Sequence, residues 1–415
     1  MKTSILKKAF KTIVKSTLSL FIYVLVFSSC EKDDPQQFCD PSPKFNIDLF
    51  VEELQTRLND EDKPMVGYQL AINKDGNLYH SEAAGFAIHE NDSEGPVAMT
   101  VNTRMNVASV SKFIGTIALL KAMEEHNVSL EFNVVNYLPE SWRSQVHSTH
   151  SDVDSDAYLT FRKLLQMNTA INFPGDDPFP GIMPTETQML NALVATPVMS
   201  RIGEYQNGNF TLIRVLIGEI VYNLDETAGD YSTACTDKYF EYVKENIYDP
   251  LNINAPSSPN EVESYYDGIY PWGYQWPFDP NFQNASDGTL GWKHSSNPYR
   301  NGGSGGKLLS SMDLAKILAF FKYDQGETII SKTQRESIIN SELGLTESVD
   351  GTYGKYLCKG GLRGADSPVS RRALRSRIMI FPNGVEAVIL TNSNNTSLGG
   401  ILRNSFDNAW KSGCE

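Results

Sequence analysis

Residues 105–112 are Met-Asn-Val-Ala-Ser-Val-Ser-Lys, and an apolar stretch follows them to about Met123. This stretch predicts a buried helix, on which Ser109 and Lys112 would share one face because they are three residues apart. A serine hydroxyl is a weak nucleophile and needs a base within hydrogen-bond distance. A lysine whose pKa is lowered by burial or by neighbouring cations can act as that base. We therefore predict that Ser109 is a nucleophile and that Lys112 is its base.

Two further motifs follow in suitable contexts. Tyr205-Gln206-Asn207 directly precedes an apolar helix, and Lys359-Gly360-Gly361 lies in a predicted strand. Each short pattern also has decoys, because Ser4 and Lys7 repeat the serine–lysine spacing and Tyr299-Arg300-Asn301 repeats the second motif before a glycine run. One set of three has the right order and surroundings. The three motifs are therefore informative together, whereas the serine–lysine spacing alone is not.

Taken together, the motifs resemble those of the penicillin-recognising serine hydrolases, which include β-lactamases, DD-peptidases and related esterases. The class C β-lactamases are the most similar branch. The resemblance covers about residues 45–412 and includes Gly305-Gly306 ahead of a helix and the closing Leu390-Thr391-Asn392. It implies a β-lactamase/transpeptidase-like fold and hydrolysis through a serine nucleophile, without a metal or another cofactor.

The resemblance also implies which residues move protons. Tyr205 would share proton transfer with Lys112 and relay a proton to the leaving group, and Asn207 would bind the substrate amide or hold Lys112. Lys359 would keep Tyr205 poised through its positive charge or bind a substrate carboxylate. Each residue considered singly has another explanation: Tyr205 as an interfacial aromatic residue, Asn207 as a helix cap, and Lys359 as a solvated strand residue.

For the substrate, the resemblance places an oxyanion hole at the backbone N–H groups of Ser109 and Leu362, with Gly361 in the same substrate-binding strand. If Ser109 begins the helix, its N–H points toward a bound carbonyl, and the helix N-terminus favours the negative charge that develops there. The chain departs from the pattern at Gly360, where enzymes that act on penicillin-like substrates usually carry a hydroxyl side chain. That hydroxyl helps to bind a carboxylate, so its loss weakens the case for a β-lactamase.

Two other clusters leave alternatives open. Arg371, Arg372, Arg375 and Arg377 follow the third motif, and they suit either recognition of an anionic substrate or a solvated hairpin loop. Residues 265–299 are rich in tyrosine and tryptophan, which is typical of an active-site wall but equally of a long loop packed on the domain.

The order of the predicted elements indicates an α+β fold. An amphipathic helix from about Phe45 comes first, then two strands, a mostly helical middle over about residues 116–300, three strands and a closing helix over about 398–410. The predicted strands are residues 65–72, 78–85, 353–361, 375–381 and 385–391. Strands from both ends of the chain would form one antiparallel sheet flanked by helices, with the middle as a helical insertion.

The N-terminal segment predicts export. A basic region with five lysines precedes an apolar run, residues 18–27, which is too short to span a membrane comfortably. The run ends in Ser28-Ser29-Cys30, which resembles the lipobox of bacterial lipoproteins; a plain secretory signal is the alternative. We predict a signal peptide over residues 1–29, a lipidated tether over 30–44 and a hydrolase domain over 45–415. The protein would be anchored through Cys30 in the bacterial envelope, on the outer membrane, facing the periplasm or the cell surface.

The net charge excludes one class of partner. Cleavage of residues 1–29 would remove five lysines and no acid, so the net charge would change from −14 to −19. A chain this acidic is repelled by nucleic-acid phosphates, and we expect no nucleic-acid partner.

Lipidation of Cys30 would leave Cys39, Cys235, Cys358 and Cys414, an even number that is compatible with disulfides outside the cytoplasm. Cys39 and Cys414 form one conceivable pair, since chain ends often lie close together. The pairing stays open, and no cysteine or histidine spacing indicates a metal site.

The sequence thus favours a serine hydrolase that transfers an acyl group from an amide or ester to water, acting on a small molecule or a peptide. A D-amino-acid peptide bond and a carboxylic ester are comparable candidates, and a β-lactam ranks third. The rivals are a non-catalytic, surface-tethered binding protein on the same fold and a sugar-binding lipoprotein that uses Trp272 and Trp276.

Overall fold

The computed structural model describes residues 42–60, 65–174, 183–227, 229–267, 270–275, 290–293, 301–345, 347–364, 372–394 and 398–412. The predicted signal peptide, the lipidation site Cys30, the proposed Cys39–Cys414 pair, Arg371 and Trp276 lie outside these residues. Within the described part, no helix is long and apolar enough to cross a membrane. The chain divides into a small unit, residues 1–46 with 410–415, and a large unit, residues 47–409.

The strands are β1 Pro43–Phe45, β2 Gly67–Lys74, β3 Asn77–Ile88, β4 Val97–Ala98, β5 Met105–Asn106, β6 Leu308–Leu309, β7 Glu347–Gly351, β8 Gly354–Gly364, β9 Ala373–Ile380, β10 Val385–Thr391 and β11 Trp410–Ser412. The helices are α1 Ile47–Leu58, α2 Ser111–Glu125, α3 Glu140–Arg143, α4 Phe161–Leu165, α5 Glu186–Val194, α6 Asn207–Thr211, α7 Ile213–Tyr222, α8 Tyr231–Val243, α9 Pro259–Asp267, α10 Ser311–Tyr323, α11 Lys332–Ser341 and α12 Leu398–Asn408. Short 3₁₀ turns and one π-helical segment, Lys244–Tyr248, complete the helical part.

The small unit contains one antiparallel strand pair. In it β1 pairs with β11, and Phe45 lies opposite Trp410 with the two rings edge to face. The predicted closing helix therefore stops at Asn408, two residues before the predicted end, because Trp410 begins a strand.

The large unit is built on an antiparallel sheet of seven strands in the order β4-β3-β2-β10-β9-β8-β7. Strands β2 and β10, which come from opposite ends of the chain, pair along their whole length in the middle of this sheet. Their residues are almost all buried, because helices cover both faces. The predicted α+β class, with one antiparallel sheet built from both ends of the chain, is confirmed.

The two faces of the sheet carry different helices. On one face Phe381 stacks on Phe406 of α12 and lies edge to face with Phe50 of α1. On the other face the Asn73 side chain donates to the carbonyl of Ala315 in α10. Because successive residues of β8 face opposite sides of the sheet, Tyr356 lies on the first face, whereas Lys359 and Gly361 lie on the second. The functional residues of β8 thus face the helical insertion.

Two strands of the large sheet, β4 and β7, were not predicted. β7 is Glu-Ser-Val-Asp-Gly, a mostly polar sequence, and it pairs only with β8 at the sheet edge. Edge strands are often polar because a charged edge discourages pairing with other chains. Strands β1, β4, β5, β6 and β11 also escaped prediction, since two or three residues are too few to show a period.

The buried cysteines of the large unit are Cys235 in α8 and Cys358 in β8. Cys235 carries a free thiol, and burial raises its pKa to about 12, so it is unreactive at neutral pH. Arg377 points a guanidinium nitrogen at the sulfur of Cys358.

An ionisable residue lies in the centre of the sheet. Glu386 in β10 is 1 % exposed, and its carboxylate lies 3.3 Å from the ammonium of Lys322 in α10. Burial raises the pKa of Glu386 to about 7, although Lys322 opposes the shift. The carboxyl group is therefore more easily protonated in the folded chain than in the unfolded chain.

We expect Glu386→Gln to flatten the pH dependence of stability. Because folding raises the pKa from 4.5 to about 7, the stabilising contribution of this group is complete below pH 4.5 and is lost as the pH rises to about 7. The amide cannot ionise, so the variant should exceed wild type in unfolding free energy at pH 8 by about 1–3 kcal/mol. The two proteins should converge near pH 4.5. Urea denaturation at both pH values measures this, and a variant less stable than wild type at pH 8 would contradict it.

Candidate active site

The predicted nucleophile lies in a tight turn in front of α2. Ser109 is the middle residue of the 3₁₀ turn Ala108–Val110, and the α-helix begins two residues later, at Ser111. Ala108 has a φ of +47°, the left-handed conformation, which costs a non-glycine residue about 1 kcal/mol. We call residues 107–110 the nucleophile turn. Its backbone conformation presents the Ser109 side chain to the surrounding groups.

Lys112 is completely buried and lies beside Ser109, as its spacing predicts. Its ammonium nitrogen is 2.6 Å from the carbonyl oxygen of Ser304, 2.7 Å from Asn207 Oδ1 and 3.1 Å from Ser109 Oγ. The first two oxygens can only accept hydrogen bonds, whereas a serine hydroxyl can also donate. A neutral amine would give its two N–H groups to Ser304 and Asn207 and would turn its lone pair toward Ser109.

Tyr205 reaches the same hydroxyl from the open side. Its Oη lies 2.7 Å from Ser109 Oγ, and the residue is 47 % exposed. The ammonium nitrogens of Lys112 and Lys359 lie 5.2 Å and 4.9 Å from the centre of the Tyr205 ring. These two positive charges favour negative charge that develops on the phenol oxygen during proton transfer.

Asn207, two residues after Tyr205, begins α6. Its contact with Lys112 fits the second of its two predicted roles, holding the lysine, and Gln206, not Asn207, occupies the N-cap position. Lys359 is 1 % exposed, which excludes the solvated strand residue considered as an alternative.

Gly361 lets β8 approach the nucleophile turn. A Cβ atom on Gly361 would overlap the carbonyl oxygen of Val107 and the hydroxyl of Ser376. The Ser376 hydroxyl in turn donates to the Val107 carbonyl at 2.7 Å. The strand and the turn are therefore in direct backbone contact, with no room for a side chain between them.

Leu362, the next residue, borders the site. Together with Ser109, Asn207 and Arg363 it lines a cavity of about 80 Å³. An oxyanion bound by the N–H groups of Ser109 and Leu362 would lie in this cavity. That role of the two N–H groups stays a prediction.

The Ser304 carbonyl is a component of the site that the sequence did not predict. It follows Gly303, whose φ is +38° and whose Cβ would overlap the carbonyl oxygen of Phe210 in α6. The glycine run brings the two chain segments together, and this places the Ser304 carbonyl against Lys112. A short strand, β6, separates this run from α10, so the run does not open the helix directly as expected.

Three of the arginines after the third motif are described by the structure, and they do not lie in a solvated loop. Arg372 is buried and donates to the carbonyl of Gly291, and Arg375 donates to Asn394 Oδ1 at 2.8 and 3.0 Å.

Arg377 in β9 lies against Gly360. A Cβ on Gly360 would lie 3.0 Å from the central guanidinium carbon of Arg377. Arg377 thus occupies the space into which a side chain at position 360 would project.

The aromatic segment contributes both to packing and to the border of the site. Trp272 and Tyr274 are buried, and the Tyr274 hydroxyl donates to the buried carboxylate of Asp92. The guanidinium of Arg363, which lines the 80 Å³ cavity, lies 5.9 Å from the centre of the Trp292 ring. Among the described residues, no group of three or more His, Cys, Asp or Glu side chains is arranged to hold a metal ion.

Comparison with known proteins agrees with this geometry. The family model described as Beta-lactamase matches residues 48–398. A D-stereospecific amidohydrolase from Streptomyces sp. is 18 % identical in sequence, with a TM-score of 0.59 over 86 % of this chain and 98 % of that chain. EstCE1, a hydrolase with promiscuous acyltransferase activity, is 14 % identical, with a TM-score of 0.60 over 87 % and 98 %. The octameric penicillin-binding protein homologue from Pyrococcus abyssi is 20 % identical, with a TM-score of 0.51 over 84 % and 72 %. No curated protein sequence matches the chain. At these identities the solved structures show the fold alone.

We expect Gly361→Ala to separate β8 from the nucleophile turn. The added methyl group would overlap the Val107 carbonyl, so the strand would have to move. A displacement of about 1 Å between catalytic groups costs about 100-fold in kcat. Gly364→Ala in the same strand is the matched control, since its Cβ would meet nothing within 4 Å. Steady-state kinetics of both variants test this. Equal kcat values for the two would contradict the close contact at Gly361.

Proposed function

The chain belongs to the Beta-lactamase family and is a serine hydrolase, and we propose that it cleaves an amide or ester bond through an acyl-Ser109 intermediate. The observation that carries the proposal is the position of Ser109 Oγ, within hydrogen-bond distance of both Lys112 Nζ and Tyr205 Oη. A lysine amine and a phenol around one serine have the chemistry that nucleophilic attack and leaving-group departure require.

Acylation follows from these contacts. Lys112 in its amine form takes the proton of Ser109, and Ser109 Oγ forms a bond to the substrate carbonyl carbon. The negative charge on the carbonyl oxygen is stabilised by the N–H groups of Ser109 and Leu362. The bond to the leaving group breaks as Tyr205 protonates its nitrogen or oxygen, and the proton on Lys112 restores the phenol. Water then enters on the Tyr205 side and releases the acid by the same steps in reverse.

A polar cavity that Tyr205 helps to line supports the proposal of a polar leaving group. The cavity has a volume of about 510 Å³. Its polar lining residues, apart from Tyr205, are Gln166, Asn168, Asn340, Ser341 and Glu342. Because Tyr205 both delivers the proton and lines this cavity, we place the departing fragment in it. Amide and hydroxyl groups at these positions suit a D-amino acid, a short peptide or a polar alcohol better than a long alkyl chain.

The same proposal ranks β-lactams below these substrates. Gly360 offers no hydroxyl to a substrate carboxylate, and the Arg377 guanidinium fills the space next to it. We therefore favour a D-amino-acid peptide or a carboxylic ester as the substrate class.

We expect Ser109→Ala to abolish both turnover and covalent labelling by a fluorophosphonate probe, because the hydroxyl is the group that becomes acylated. A panel of D-amino-acid amides, carboxylic esters and a chromogenic cephalosporin identifies the substrate class with the wild-type protein. Ser129→Ala, which changes an exposed serine outside the site, is the control for the probe.

Tyr205→Phe should lower kcat by about 10²–10⁴-fold, as loss of a general acid–base residue does.

The proposal would fall if Ser109→Ala kept full activity on a substrate that the wild type hydrolyses. Absence of labelling by any serine-directed probe would favour the rival, a binding protein on the same fold.

We also propose that the enzyme acts outside the cytoplasm, anchored by a lipid on Cys30, on the evidence of residues 1–30. Cys30→Ser should move the protein from the membrane fraction to the soluble fraction after cell lysis, because the variant has no thiol to carry the lipid. The mass of the mature N-terminal peptide is the direct measurement. Recovery of the variant in the membrane fraction at the wild-type level would contradict the anchor.

A further inference from the structure

The residue before the nucleophile has a conformation that its own side chain does not favour. Ala108 has a φ of +47° although it is not a glycine, and its conformation sets the direction of the Ser109 N–H and side chain. The neighbouring groups must therefore supply the stabilisation that keeps Ala108 in place.

Asn106 supplies one such interaction. Its Oδ1 accepts a hydrogen bond of 2.8 Å from the backbone N–H of Ala108. A side-chain oxygen that binds the backbone N–H two residues later stabilises a turn at that point. Asn106 is buried, so this hydrogen bond does not compete with water. The contact directly restrains the residue whose backbone is left-handed.

Asn106 is itself held by the aromatic segment. The hydroxyl of Tyr270 accepts a 2.6 Å hydrogen bond from the Asn106 N–H, and Tyr270 is completely buried. The ring of Tyr265 packs edge to face against it at 5.8 Å, and the Tyr265 hydroxyl donates to the carbonyl of Arg104. The segment that leads to Ser109 is thus held by these side-chain hydrogen bonds in addition to the two-residue pairing of β5 with β6.

We propose that Asn106 and Tyr270 are positioning residues for Ser109. Asn106 holds Ala108 in the left-handed conformation, and Tyr270 holds Asn106, so that Ser109 Oγ lies between Lys112 and Tyr205. Part of the aromatic segment then serves catalysis without touching the substrate. This inference rests on the proposed function for its kinetic consequences but not for its structural ones.

The first test removes the hydrogen bond between Asn106 and Ala108 and then replaces Ala108 with glycine, which does not require that bond to adopt a positive φ. Asn106→Leu should lower kcat and the rate of fluorophosphonate labelling by about 10- to 100-fold, with KM within about threefold. Adding Ala108→Gly to that variant should recover at least about fivefold of the lost rate, because glycine adopts a positive φ without help. Loss of folding alone would lower the melting temperature and the fraction of protein that is labelled, whereas the rate constant of the protein that remains folded would stay at the wild-type value.

A matched pair of tyrosine variants tests the second step. Tyr270→Phe removes the acceptor for the Asn106 N–H and should lower kcat by about tenfold. Tyr265→Phe removes one hydroxyl from the neighbouring ring, but its partner Arg104 is not bonded to the nucleophile turn. It should lower the melting temperature without lowering kcat. Equal effects of both variants on kcat would overturn the role of Tyr270.

A crystal structure of Asn106→Leu provides a readout independent of activity. We expect φ of Ala108 to leave the left-handed region, or its density to show more than one conformation. An unchanged φ together with a wild-type labelling rate would overturn the proposal. If wild-type protein is not labelled at all, the proposed function fails, and the value of φ in the variant still decides the structural role of Asn106.

Discussion

The site depends on the contact between β8 and the nucleophile turn at Gly361. The sheet supplies Lys359, and the helical part supplies Ser109, Lys112 and Tyr205. These two parts meet where the glycine lies against the Val107 carbonyl and where the Ser376 hydroxyl binds the same oxygen. Since successive residues of a strand face opposite sides, the contact also fixes which residues of β8 face the nucleophile. Lys359 and Gly361 do so, whereas Gly360 faces Arg377.

The three motifs were predictable because their chemistry needs particular side chains at short, fixed spacings. Ser109 and Lys112 are one helical turn apart, and Tyr205 and Asn207 are two residues apart at the start of a helix. The distances between motifs cannot be read from a sequence. The motifs were therefore assigned through their resemblance to a family, and the structure brings them together.

The components that escaped prediction lack such a signal. The Ser304 carbonyl is a backbone group, which any residue could supply, and its position depends on the preceding Gly303 and on that glycine's contact with the Phe210 carbonyl. The strand β7 has a polar sequence because it lies at the sheet edge, so its pattern resembles a loop. The sequence left the environment of the arginines open, because a charged residue such as Arg372 is buried only when a tertiary partner, here the Gly291 carbonyl, is available. In each case a long-range contact decides the structure.

The hydrogen bond from Ser376 to Val107 joins residues 269 positions apart, and that from Lys112 to Ser304 spans 192 positions. Contacts between such distant parts form late, because a long loop has to close first. A chain that emerges N-terminus first therefore contains Ser109, Lys112 and Tyr205 well before β8 and β9 are available to complete the site. In the newly made polypeptide the catalytic groups are far apart, and they form a complete active site only when β8 and β9 join the sheet. On the export route that we propose, the hydrolase is therefore inactive during its synthesis and transport.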